Sequence, residues 1–222
     1  HGLFSHLRPY LEKQNMFDQF NLNGATASEP LALRNTIVQE YICPSYGNPH
    51  LYTSAAFSYQ EGAITTYQGM AGAINGTSTA VTSSAYGDIP KNGAFGFGQR
   101  KSLGQITDGA SNSIFMGEFV HQDYDSGTYA SPPGNVRPWI LGDNGAKGAY
   151  AIKVAQYPTN AKVDRVSDGI PFNHLPYGSF HPNATLFLFG DTGVRILKNG
   201  TDLSAYQAMA TISGGEANAY ID

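Results

Sequence analysis

The chain has 222 residues, enough to bury a core as one domain, and no composition shift marks a mid-chain linker. Charged residues make up 14%, well under the roughly 25% of ordinary soluble domains, while 26 Gly, 14 Tyr and 12 Phe favour a β-rich, loop-rich protein of the exported kind. A formal charge of −4 with 13 scattered Lys and Arg leaves no basic stripe or patch, which argues against nucleic acid as a partner and against a membrane surface held by charge.

Cys43 is the sole cysteine, so an intrachain disulfide is impossible and no Cys-based zinc site is expected from this chain alone. The longest apolar stretch, residues 184–189, falls far short of the ~20 residues of a membrane span. The sequence opens at His1 without the charged-then-apolar order of a secretory signal, and we expect that an upstream segment has been removed.

Pro9 suits the first turn of a helix and not its interior. A helix is therefore predicted to start there and run through Tyr10, Leu11, Gln14, Phe17 and Phe20, ending within residues 21–24. Ser28 is the expected N-cap of a second short helix, from Pro30 to about Thr36, with Leu31 and Leu33 on its apolar face. A strand over residues 38–43 follows. Residues 44–104 read as long ordered loops with a few strands, one of them at 66–70.

Thr107, Asp108 and Gly109 form a predicted turn between strands at 103–106 and 113–120. Between residues 122 and 168 the Pro, Gly and Asn content predicts loops, with one or two edge strands around 139–141 and 150–154. Two apolar runs, 184–189 and 194–197, flank Gly190-Asp191-Thr192-Gly193 as a hairpin, and a last helix over 203–211 ends at Gly214-Gly215. This order lacks the βαβ alternation of a parallel sheet. The predicted fold is α+β, one domain over residues 1–222 with an antiparallel sheet, an N-terminal helix and long loop insertions.

Candidate chemistry is sparse. Asp191-Thr192-Gly193 matches the aspartic-protease triplet, in which two carboxylates share a proton, but only one copy is present and too little chain follows it. His174, His181, Asp168 and Asp191 are metal-ligand types, yet no spacing among them matches a helical His-x3-His pair, and turn roles are preferred. Asp143-Asn144-Gly145 and Asp123-Tyr124-Asp125 offer oxygens for calcium but lack an EF-hand's acidic spacing, so they are read as solvated turns and no cofactor is expected, with calcium as the alternative. Neither Gly-x-Ser-x-Gly nor a phosphate-binding Gly-x4-Gly-Lys-Ser/Thr occurs.

Cys43, before Pro44 at the end of a predicted strand, reads as buried packing. Tyr67, Trp139 and Tyr150 on loops have the apolar face and polar rim that stack on a sugar ring and are the candidate ligand contacts, with ordinary core and loop packing the preferred reading. Asn75, Asn183 and Asn199 each fit Asn-x-Ser/Thr, a surface-loop glycosylation pattern.

Several segments stand in a telling order: Leu7-Arg8-Pro9-Tyr10-Leu11-Glu12-Lys13-Gln14-Asn15, then Ile42-Cys43-Pro44-Ser45, then Ile106-Thr107-Asp108-Gly109-Ala110-Ser111-Asn112-Ser113-Ile114 with Gly117-Glu118. His181 with Asp191 ten positions on follows, and Tyr206-Gln207-Ala208 through Gly214-Gly215-Glu216 closes the series. Together they resemble the large bacterial family of prepilin-type (pseudopilin-like) proteins with a C-terminal His-x9-Asp-Gly motif, also catalogued as solute-binding-protein-like and of unknown function. Two departures stand out: Asp191 is followed by Thr192-Gly193 where the family usually has Gly-Ser, and Tyr46 stands where Asp is common.

The resemblance implies a type IV pilin-like head on an upstream apolar helix, exported and displayed at the cell surface. Its role would be structural, as a subunit of a filament or a type II secretion-like machine that associates with itself through that helix or with other pilin-like subunits, and not that of an enzyme. A secreted or anchored module binding a glycan or small solute is the alternative. The motif residues Cys43, Pro44, Asp108, Gly109, Asn112, Glu118, His181, Asp191 and Gly193 are read as structural, with His181 donating to a carbonyl or carboxylate and Asp191 capping the amides of its turn.

Overall fold

The computed structural model describes residues 1–54, 60–76, 79–121, 130–131, 134–143 and 147–215. Its amino-terminal stretch is a series of short helical pieces. Helix α1 spans Leu3–Leu7 and passes into a 3-10 turn, Arg8–Leu11, with Pro9 at its start. Glu12 then takes a left-handed φ of 58° and its N–H closes the turn on the Arg8 carbonyl, so that α2, Gln14–Phe17, starts anew. The single helix predicted from Pro9 is thus corrected. The break lets Phe4, Arg8 and Phe20 converge, with the Arg8 guanidinium 3.8 Å from the centre of the Phe20 ring and 5.0 Å from that of Trp139.

Helix α3, Leu31–Arg34, has Pro30 at its N-cap and no side-chain cap. Ser28 sits instead in a separate 3-10 turn, where its hydroxyl donates to the Ala25 carbonyl. Residues 38–43 do not form the expected strand. Gln39–Tyr41 is a 3-10 turn, closed by the Ile42 amide on the Gln39 carbonyl, and Tyr41, Ile42 and Cys43 are buried in succession.

The strands are β1 (Leu51–Ser54), β2 (Gly62–Thr65), β3 (Tyr67–Met70), β4 (Val81–Thr82), β5 (Ile89–Pro90), β6 (Ile114–Glu118), β7 (Ala130–Ser131), β8 (Arg137–Pro138), β9 (Ile152–Lys153), β10 (Ala184–Phe189) and β11 (Val194–Lys198), followed by helix α4 (Leu203–Ala210). A central five-stranded sheet runs β11-β10-β6-β3-β9, beside a four-stranded sheet, β7-β1-β2-β8, and the pair β4-β5. Every pairing is antiparallel except β3 with β9. The fold is α+β around antiparallel sheets, with long loops between short strands. Residues 103–106 are not a strand: Leu103–Gln105 is a 3-10 turn closed by a capping box between Ser102 and Gln105, and it leaves Leu103 exposed.

Packing follows the alternation of β10. Thr185, Phe187 and Phe189 turn inward, and Phe187 lies between Tyr177 and the α4 residue Tyr206. Gly117 makes this possible, since a Cβ there would lie 2.4 Å from the Phe187 ring. Asp202 fixes the start of α4 by accepting from the amides of Ser204 and Ala205. A second core gathers Phe4, Phe20, Tyr41 and the fully buried Trp139, whose Nε1 donates to the Thr36 carbonyl. No helix among the described residues is long and apolar enough to cross a membrane.

Candidate functional site

Three segments far apart in the chain meet at the end of β6. The pairing of β6 with β10, Gly117 opposite Phe187, sets Glu118 beside the backbone of Leu186. The Leu186 N–H donates to Glu118 Oε2 at 2.7 Å. The other oxygen, Oε1, accepts from Cys43 Sγ at 2.9 Å and lies 3.3 Å from His181 Nε2. Cys43 Sγ and His181 Nε2 are 3.4 Å apart, and Ser45 Oγ stands 3.0 Å from the sulfur and 3.4 Å from the imidazole nitrogen.

Local structure holds each donor. The Cys43 amide donates to Thr66 Oγ1, just before β3, and the His181 amide donates to Ser179 Oγ. Tyr46 and Phe180, the chain neighbours of Ser45 and His181, stack face to face with ring centres 5.6 Å apart and join the two loops. Cys43 and Glu118 are each 1% exposed, whereas the His181 side chain is 35% exposed, so the cluster has one wet side.

The family described as "Protein of unknown function (DUF1559)" matches residues 1–204, a span that includes every residue of the cluster. The chain belongs to that family. No curated protein and no solved structure matches it.

In this DUF1559 chain burial pushes the Cys43 thiol up, and its hydrogen bond to Glu118 acts in the same direction against a smaller opposing effect of Ser45. Tyr67, half-buried beside the cluster, is likewise raised to about 12, by burial first and then by Cys43 and Glu118. A thiol raised in this way holds its proton more tightly, and the Cys43 amide is committed to Thr66 Oγ1. What the arrangement offers is one sulfur, one nitrogen and one oxygen converging from three segments. A lone cysteine does not by itself exclude a metal site, because a mixed donor set needs only one thiol.

The other predicted residues are dispersed through the DUF1559 fold. Asp191 lies at the far end of β10 from His181, exposed in the hairpin turn, where Oδ1 accepts from the Gly193 amide at 2.9 Å and Oδ2 pairs with Arg195 at 2.5 Å. Thr192, with φ of 68°, is the left-handed residue of that turn. Asp108 is buried and accepts from the amides of Gly214 and Gly215, Gly109 takes a φ of 94°, and Asn112 Nδ2 donates to the Asp108 carbonyl. Pro44 is exposed next to Cys43.

His174, His181, Asp168 and Asp191 are not gathered. His174 Nε2 meets the Asp88 carbonyl, and Asp168 accepts from the Asp164 amide. Of the calcium candidates only Asp143 falls among the described residues; Asp123, Tyr124, Asp125, Asn144 and Gly145 lie outside them, as does Glu216. Asn75 and Asn183 are exposed, while Asn199 is half-buried and accepts from Asn160 Nδ2.

Trp139 and Tyr150, candidate ligand contacts, are core residues at 0% and 6% exposure. This corrects the prediction: Tyr150 packs edge-on against Phe172 and its hydroxyl accepts from Gln60, so neither ring has a face for a sugar. Sequence reasoning missed Ser45 as a cluster member and the meeting of Cys43 with Glu118. The signal was the recurrence of Cys-Pro-Ser, Gly-Glu and His181 in one ordered set.

Proposed function

We propose that this DUF1559 chain is the exported, surface-displayed head of a pilin-like subunit that works by assembling with copies of itself or with related subunits in the cell envelope. One observation carries the reading. β11 is an edge of the central sheet, with no strand among the described residues paired to its outer side. Its outward face shows Val194 and Ile196 at 61% and 60% exposure. Arg195, between them in sequence, lies on the opposite face by the strand's alternation, and Lys198 at the strand's end shares the outward face with the two apolar side chains. A free apolar edge invites strand pairing or aggregation unless a neighbour covers it.

The amino-terminal end supports the same reading. The Gly2 amide donates to the Ile140 carbonyl and Phe4 is 1% exposed, so a helix leading into α1 would be joined rigidly to the head. The reading involves no reaction, and with Trp139 and Tyr150 in the core the glycan- or solute-binding alternative keeps only Tyr67 of its three candidate residues.

The test is chemical cross-linking of the full-length protein in intact cells, beside the double variant Val194→Lys, Ile196→Lys. Wild type is expected in the envelope fraction as a ladder of multimers. The variant, with both changes on an exposed face, should keep its melting temperature and lose the ladder. A wild-type protein that stays monomeric in every fraction and at every concentration overturns the reading.

A further inference from the structure

We propose that Cys43, Glu118 and His181 form a binding site for one divalent transition metal ion, best met by Zn2+, with the fourth position on the Ser45 side open to the hydroxyl or to water. The geometry is close to what the ion requires. Zn–S of about 2.3 Å with Zn–N and Zn–O of about 2.0–2.2 Å, at tetrahedral angles, sets donor–donor edges of roughly 3.3–3.6 Å. The observed edges are 3.3 Å from nitrogen to oxygen, 3.4 Å from sulfur to nitrogen and 2.9 Å from sulfur to oxygen. The last is shorter because a thiol hydrogen bond spans it. An ion replacing that proton lengthens the edge by about 0.5 Å, within reach of one side-chain rotation.

Donor chemistry and charge agree. A thiolate, an imidazole and one carboxylate make a set that suits Zn2+ or Co2+, whereas magnesium and calcium take all-oxygen shells. Thiolate and carboxylate together balance a 2+ ion, so the loaded site is neutral where Cys43 and Glu118 are almost wholly buried. The Leu186 amide on Glu118 Oε2 supplies the outer contact that orients a ligating carboxylate. The exposed side of His181 gives the ion a route in from solvent.

The test is titration of chelator-stripped protein with Co2+, followed by absorption. The expected result is uptake of one equivalent, with tetrahedral ligand-field bands and a thiolate-to-cobalt charge-transfer band that Zn2+ displaces. Loss of an outer-shell partner alone costs about 10- to 100-fold in affinity, so Cys43→Ser and His181→Ala should each weaken binding at least tenfold. Asp191→Asn should leave it unchanged. The His181 side chain is partly exposed, so His181→Ala should keep the native circular dichroism and serves as the decisive variant if Cys43→Ser does not fold. Folded, chelator-stripped wild type that shows no charge-transfer band once Co2+ is added, or folded His181→Ala that takes up Co2+ as tightly as wild type, overturns the proposal.

Discussion

β10 has a carboxylate at each end, and their surroundings are opposite. At its start Glu118 reaches across from β6 into a nearly dry cluster, held by the Leu186 amide, the Cys43 thiol and the His181 ring. At its finish Asp191 stands in solvent on a tight turn, facing Gly193 and Arg195. Six residues of strand at about 3.3 Å each put roughly 20 Å between the two ends. His181 and Asp191, paired in the sequence by a fixed interval, therefore serve two sites and not one. The interval measures the strand between them.

The sharpest way to break this comparison is at the buried end. Glu118→Leu removes the acceptor of a buried amide and the partner of a buried thiol while keeping much of the volume. A buried donor left unsatisfied costs about 1–3 kcal/mol; the Leu186 amide is orphaned here while the Cys43 thiol keeps Ser45 and His181 beside it, so we expect a loss of about 2 kcal/mol in urea unfolding. A change below about 1 kcal/mol would mean that the carboxylate is not structural in the apo protein.

Asp108 falls between the two extremes. It is buried like Glu118, but it accepts from Gly214 and Gly215 amides on an exposed segment that water can reach once the carboxylate is gone. Asp108→Ala should cost about 1–2 kcal/mol. Faster amide exchange should be confined to the segment after α4, as native-state hydrogen exchange would show.

How much of this was legible depended on how local the cause is. The β10–β11 hairpin is written in the alternation of Thr185, Phe187 and Phe189 and in its Gly-Asp turn, and α4 in its heptad-like apolar face between Asp202 and the two glycines. The 103–106 and 38–43 runs looked equally strand-like, yet short apolar runs carry no decisive period, and neither became a strand. The left-handed Glu12 is visible only once Phe4 and Phe20 are drawn to Trp139, a contact between residues more than a hundred positions apart. The same holds for the site. Cys43 lies 75 residues from Glu118 and 138 from His181, and it takes the β6–β10 register, the Cys43–Thr66 bond and the Tyr46–Phe180 stack to bring them together. The ordered motifs marked the residues without saying that they touch.

The exposed end sharpens the comparison by how little it should matter. Asp191 is held below the usual carboxylate range, first by Arg195 and then by the Gly193 amide. A carboxyl whose folded pKa is depressed adds stability that is present above its unfolded value of about 3.9 and is lost as pH falls through the folded value. Any contribution of Asp191 is therefore constant at neutral pH and fades only in strong acid, where solvent and salt screen it further. Asp191→Asn should accordingly leave the melting temperature at pH 7 within error and flatten the melting curve slightly below about pH 4. If it instead lowers stability at pH 7 as much as Glu118→Leu does, the two ends of β10 are energetically alike, and the contrast between a buried junction and a solvated turn fails.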